Sequence, residues 1–242
     1  MSSSPSIAIV TGASRGLGSV VARVLASRGY DLVIGARAER ALAETAVALR
    51  AAGTRVVTVP GDVAHPRVRA WLVEEARRLG GLHVLVNNAS ELGGLRPVGA
   101  LDPARFERVL QVNVIAPAAL IALALPMLRR AGGLIINVSS DAARGGYPGW
   151  GPYGASKAAL DLLTQSLAAE MEGRGVSAVA VDPGDMRTTM HQEAYPTEDI
   201  SDRPLPEITS PFWTWLFDQE PDSVNGQRFV AQQEDVRWLQ RA

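Results

Sequence analysis

The chain has 242 residues, 47% of them hydrophobic and 20% charged, which is the composition of a globular protein long enough to bury a sizeable core in one α/β domain. A formal net charge of −1 provides no basic field for nucleic acid. The absence of cysteine excludes disulfides and thiolate zinc sites and fits a reducing compartment.

The N-terminal MSSSPS carries no cationic stretch, and the apolar run at 7–10 that follows it is far shorter than a signal or membrane segment, so a soluble cytoplasmic protein is expected. Strand-like runs follow at 7–10, 31–35, 55–59, 83–87, 134–138 and 176–181, separated by amphipathic stretches at 17–28, 38–52, 66–79 and 155–172. Apolar runs of this kind, alternating with helices, predict a parallel sheet covered on both faces. The longest apolar stretch, VIAPAALIALALPML at 114–128, holds two prolines, falls short of a membrane span and reads as a buried helix. No repeat or linker divides residues 1–242, so one domain is expected. The strand-helix rhythm fails after Pro183, where 185–225 is rich in Thr, Asp, Glu, Pro and Trp before a last strand-like run at 226–230. Ligands of open parallel sheets bind beyond the carboxyl ends of the strands, so this segment is placed to cover a substrate. Trp213, Trp215 and Phe217 could wall a pocket, but packing of a helix against the sheet is the favoured reading. His65, His83 and His191 are scattered and lack a close second ligand, so they read as loop or surface residues.

Directly after the first strand stands TGASRGLG, 11–18. Glycines at such a turn permit close backbone approach, and the helix start beyond offers free amides to a pyrophosphate. A generic tight turn is the alternative. Arg15 opposes the positive end of that helix, an unfavourable place unless an anion is bound nearby. The second strand ends in Ala36-Arg37, with no acidic residue at the strand end to accept from a ribose 2′-hydroxyl; an arginine there suits a 2′-phosphate. Both arginines point to NADP(H), against the alternative of solvated side chains in an arginine-rich chain.

Of the 24 Lys and Arg residues only Lys157 is a lysine. A compact ammonium kept where the chain elsewhere writes arginine points to a role that a guanidinium fork would not fill. It lies in YGASK, four residues after Tyr153, so on a helix the two share one face.

Taken in order, TGASRGLG, NNAS at 87–90, Asn113 in LQVNVIAP, INVSS at 136–140, YGASK at 153–157 and DPGDMRT at 182–188 resemble the short-chain dehydrogenase/reductase family. The resemblance runs to about residue 188 and resumes at 225–230. It implies a doubly wound Rossmann fold, a seven-stranded parallel sheet with helices on both faces, and a nicotinamide cofactor. Carried over residue by residue, it makes Tyr153 the general acid/base, Lys157 its partner and the holder of the nicotinamide ribose, Ser140 (preferred to Ser139) the donor to the substrate oxygen, and Asn113 the holder of a relay water. Gly12, Ser14, Arg15, Gly16, Leu17 and Gly18 form the phosphate turn, with Arg37 at the 2′-phosphate. Asp62 and Val63 flank the adenine, Asn88, Ala89 and Ser90 lie under the ribose, and Pro183, Gly184 and Thr188 lie beside the nicotinamide. Tyr147 and Trp150, just before Tyr153, are placed to touch substrate.

Hydride delivery to a carbonyl leaves negative charge on oxygen, so a positioned acid is needed. A free tyrosine has a pKa of about 10, which a nearby ammonium is expected to lower. These readings converge on an NADP(H)-dependent carbonyl reductase, or alcohol dehydrogenase in reverse, acting on a small-molecule carbonyl or alcohol, without nucleic acid or membrane and as a homodimer or homotetramer. A nucleotide-binding regulator without chemistry, and an isomerase or dehydratase using the same tyrosine, are the rivals. Two departures from the family pattern stand out. Ser90 replaces the usual glycine, where a left-handed backbone would be strained. The tail AQQEDVRWLQRA carries Trp238 and charges in place of a glycine pair.

Overall fold

The computed structural model describes residues 5–232; the tail beyond, with Trp238, lies outside the described residues. Seven strands, β1 (Ile7–Thr11), β2 (Asp31–Ala36), β3 (Val56–Pro60), β4 (Val84–Asn87), β5 (Gly133–Val138), β6 (Val176–Asp182) and β7 (Arg228–Val230), form one sheet in the order β3-β2-β1-β4-β5-β6-β7. All pairings are parallel. The order reverses between β1 and β4, so the crevice at their carboxyl ends is the topological switch point.

Successive residues of a strand point to opposite faces, and both faces are covered. Ala8 and Val10 pack into a core built with α1 (Gly16–Ser27) and α2 (Glu39–Arg50), while Ile7 and Ile9 pack into a second core with α3 (Pro66–Leu79) and α5 (Ala116–Ala131). That two-sided burial is why the strands read as unbroken apolar runs. Local signals mark helix ends: the Asp102 carboxylate accepts from the Ala104 and Arg105 amides at the start of α4 (Pro103–Leu110), and Gly132 closes α5 at φ 66°, a conformation open to glycine.

The apolar helix expected at 114–128 is part of a longer run. A π-helical turn at Gln111–Ile115 joins α4 to α5 into 29 residues, Pro103–Ala131, long and apolar enough to cross a membrane by length and composition. Leu120, Ala124, Met127 and Leu128 are buried against the sheet, as in a core helix, yet Ile115 and Leu123 remain exposed. The expectation of a buried helix therefore holds for one face only. Pro117 lacks the N–H that would reach back to the Asn113 carbonyl, which accounts for the widened turn there.

α6 (Gly151–Met171) begins four residues before the predicted stretch and carries Tyr153 in its first turn. After β6, the segment at 185–225 folds into α7 (Thr189–Ala194), a 3₁₀ turn (Pro206–Thr209), α8 (Ser210–Leu216) and α9 (Pro221–Val224). Phe212 and Trp213 are fully buried in the α1 face of the core, with Trp215 and Phe217 packed against it, so these aromatics anchor the segment and do not wall a pocket. Ion pairs Arg23–Glu207 and Arg28–Asp218 tie it to α1 and to the residue that caps its C-terminus. Replacing Trp213 by Ala removes a buried indole and its bond to Thr209 Oγ1 at 2.9 Å, and is expected to cost about 3–5 kcal/mol in chemical denaturation.

Candidate active site

One cleft of about 1120 Å³ opens at the carboxyl ends of the strands, and the turn after β1, the loops after β2 to β6 and the 185–225 segment all line it. Its phosphate end is built from glycines that tolerate no side chain. At Gly12, φ is 68°, and a Cβ there would come within 2.8 Å of Asn88 Nδ2 and 2.9 Å of Ala89 Cα; at Gly18 it would collide with the Gly12 carbonyl. The turn after β4 closes on them: Asn88 Nδ2 donates to the Thr11 carbonyl at 2.8 Å, and Thr11 Oγ1 accepts from the Asn88 and Ala89 amides at 3.0 and 3.1 Å. The cradle fits a dinucleotide phosphate, since the start of α1 has neither a side-chain cap nor an acidic residue in its first turn, leaving its amides to an anion. Ser14, Arg15, Gly16, Leu17 and Gly18 line this end with Gly12, and Arg37, Asp62, Val63, Ala89 and Ser90 continue the lining past the ends of β2, β3 and β4. Ser90 is not strained, because no non-glycine residue among those described has positive φ.

At the other end, Ser140, Tyr153 and Lys157 meet, with Pro183, Gly184, Thr188 and Trp150 in the same lining. Tyr153 sits in a small apolar cluster with Leu92, Ala142 and Ala194, packed by Leu95, Trp150, Met190 and Tyr195. The Trp150 ring meets the Tyr153 ring edge-on at 5.7 Å. Lys157 is 2% exposed; its Nζ donates to the Val138 carbonyl at 2.7 Å and stands 5.5 Å from the Tyr153 ring centre. An ammonium has three donors, so two remain for a ligand. The expectation that this cation lowers the phenol is not met here. Burial pushes Tyr153 up to about 12, against hydrogen bonds from Ser140 and Ser90 that hold it down, and burial also pushes Lys157 down to about 8. In so dry a site desolvation is the largest influence on both groups.

Ser140 lies close enough to the Tyr153 phenol to work against its upward shift, whereas the buried hydroxyl of Ser139 has no partner among the described residues. Ser140 Oγ also donates to Asp141 at 2.9 Å, and Tyr147 donates to the other oxygen of that carboxylate at 2.8 Å. Tyr147 is half exposed and meets the cleft only through Asp141; Trp150 is among the lining residues and Tyr147 is not. Asn113, in the π turn, is 1% exposed and bonded throughout: its Nδ2 donates to the Glu91 carbonyl and Ser156 Oγ, and its Oδ1 accepts from the Glu91 amide and Ser90 Oγ. Behind the site Arg228 of β7 donates to Asp161, Asp182 and the Ser140 carbonyl, each within 3.1 Å. Sequence reasoning missed Arg228, and it missed Glu91 and Arg108, which line the cleft beside Asp62 and Arg37. Glu91 directly follows the NNAS turn, a signal that was available.

A doubly wound parallel sheet with a phosphate turn at its switch point defines a dinucleotide-binding Rossmann protein. The short chain dehydrogenase family profile matches residues 6–199. A ketoacyl reductase of Nostoc sp. is 36% identical over 184 residues, 75% of this chain and 63% of its own length. A short-chain type dehydrogenase/reductase of Picea abies is 32% identical over 242 aligned residues, 91% of this chain and 89% of its own. Among solved structures, a short chain dehydrogenase from Pseudomonas syringae superposes with TM-score 0.89 at 34% identity, covering 94% of each chain. One from Shigella flexneri, complexed with NADP, does so with TM-score 0.88 at 30% identity over 94% of this chain and 97% of that one. The chain belongs to the short-chain dehydrogenase/reductase family of oxidoreductases, which bind a nicotinamide cofactor.

The buried ammonium carries a pH signature. Between pH 8 and 10.5 folded Lys157 has lost a proton that the unfolded chain still holds, so its contribution to stability rises with pH across that window; Tyr153 acts oppositely, losing stability only between pH 10 and 12. From pH 7 to 9.5 the wild type should therefore gain about 1–2 kcal/mol relative to Lys157→Met, read from denaturant unfolding at each pH.

Proposed function

We propose that the protein is an NADP(H)-dependent carbonyl reductase that transfers a hydride between the nicotinamide and a carbonyl or alcohol, with Tyr153 as general acid/base. The observation that carries this reading is the lone lysine of the chain, buried beneath Tyr153 with its Nζ fixed on Val138 and two donors left over. A surface charge kept by chance has no need to desolvate an ammonium at such cost, and a regulator that only grips the nucleotide has no need of Ser140 and Tyr153 set beside that lysine. When bound, the cofactor supplies the hydride. Tyr153, its phenol pushed up to about 12 by burial, stays protonated across neutral pH and gives its proton to the substrate oxygen as charge develops there. Ser140 donates a hydrogen bond to the same oxygen, which requires its hydroxyl to turn from Asp141. Lys157 holds the ribose hydroxyls. Asn113, with its four bonds, fixes the π turn against the start of α6 through Ser156. The same set working as an isomerase or dehydratase would consume no cofactor, so stoichiometry separates the readings.

Arg15 is exposed, with no ion pair or side-chain hydrogen bond among the described residues, and Arg37 stands at the end of β2; both lie in the cleft lining. They support a 2′-phosphate site, as does the NADP bound to the Shigella flexneri relative. The substrate lies under the 185–225 segment, between the Trp150 side and Met190. Exposed Ile115 and Leu123 on the α4–α5 run, with Leu162 and Leu163 on α6, support assembly into a homodimer or homotetramer.

Tyr153→Phe should keep NADPH affinity within about threefold and lower turnover of a model ketone by about 10²–10⁴-fold, the range ascribed to general acid catalysis. Full activity in that variant would remove the mechanism. Arg37→Asp should reverse the preference for NADPH over NADH in calorimetric titration, and an unchanged ratio would remove the 2′-phosphate assignment.

A further inference from the structure

Four charges from four different segments meet at the adenosine end of the cleft. Arg108 of α4 donates from Nε to Glu91 Oε2 at 3.0 Å and from Nη2 to Asp62, while the same Glu91 oxygen stands 3.5 Å from Arg37 Nη1. Asp62 is fixed further by the Ala64 amide at 2.9 Å. The chain of signs runs Arg37, Glu91, Arg108, Asp62 and sums to zero. All four line the cavity and keep between 20% and 62% of their side chains exposed, so they are positioned to respond to a ligand. Burial pushes the Asp62 carboxyl up, but the Ala64 amide and Arg108 outweigh it and leave it below the ordinary range.

Resting on the reading that Arg37 receives a 2′-phosphate, we propose that Glu91 and Arg108 set the discrimination between NADPH and NADH. Glu91 competes with the phosphate for the Arg37 guanidinium and repels it at close range. Arg108 pairs with both Glu91 and Asp62, offsets one of their two negative charges and holds the Glu91 carboxylate from the α4 side. A 2′-phosphate carries charge into this network where a 2′-hydroxyl carries none, so the two cofactors sense Glu91 and Arg108 unequally. Glutamate beside an arginine on a phosphate site is otherwise unfavourable for the ligand; its function is to bind the arginine loosely enough that a dianion displaces it.

The test is calorimetric titration of wild type, Glu91→Gln, Arg108→Gln and the double variant with NADPH and with NADH, at two salt concentrations. Glu91→Gln should tighten NADPH about threefold or more, Arg108→Gln should weaken it about tenfold, and the double variant should return toward wild type, with NADH moving less than about threefold throughout and the NADPH effects shrinking at high salt. Shifts of equal size for both cofactors, or no shift in Glu91→Gln, would overturn the inference while leaving a wild-type preference for NADPH, and with it the phosphate reading, intact. A wild type that binds the two cofactors equally would overturn the phosphate reading itself and this inference with it. Because Glu91→Gln alone decides the sign, a fold defect in Arg108→Gln does not rescue the proposal.

Discussion

An ammonium taken almost wholly out of water is the constraint around which this site is arranged. Lys157 can be buried because β5 ends with the Val138 carbonyl aimed at its Nζ, and because Asp161, one turn further along α6, and Asp182 at the end of β6 supply negative charge at a distance. Those carboxylates are in turn held by Arg228 of β7. The edge strand of the sheet therefore reaches the reactive centre through three charges. The parallel order is what makes this possible, since it brings the carboxyl ends of β5, β6 and β7 side by side.

The two ends of the cleft solve opposite problems. At the phosphate end the chain removes matter: glycines clear a path where a methyl group would collide with Asn88, Ala89 or the Gly12 carbonyl, and backbone amides are left without partners. At the reactive end it removes water, enclosing Tyr153 with Leu92, Ala142 and Ala194. Dryness raises the phenol and lowers the ammonium, so the resting state stores the proton on oxygen. That distribution suits the proton donation proposed for Tyr153.

Much of this was legible in the residues. Each of the first six strands lies within a residue or two of its predicted run because burial on both faces writes uninterrupted apolar blocks, and a phosphate turn is recognisable from its glycines. The 185–225 segment was legible only as irregular: α7, α8 and α9 are short, and α8 is stabilised by burying Phe212 and Trp213 in a core assembled from distant strands. The direction of the Tyr153 shift was misjudged because spacing places a cation on the same helix face but says nothing about how dry that face is. Arg108 escaped notice because its partners lie 17 and 46 residues away, in the loops after β4 and β3, and meet it only in the folded chain. Tyr147 looked equivalent to Trp150 by proximity in sequence, yet its hydroxyl is drawn off by Asp141.

The central claim is that Lys157 is buried in order to grip a nucleotide ribose beneath Tyr153. A crystal structure of the protein with NADP+ tests it most directly. The account predicts two Nζ hydrogen bonds to the nicotinamide ribose hydroxyls, each within about 3.2 Å, with the bond to Val138 retained. A nucleotide seated in the cleft with Lys157 making no ribose contact would contradict it.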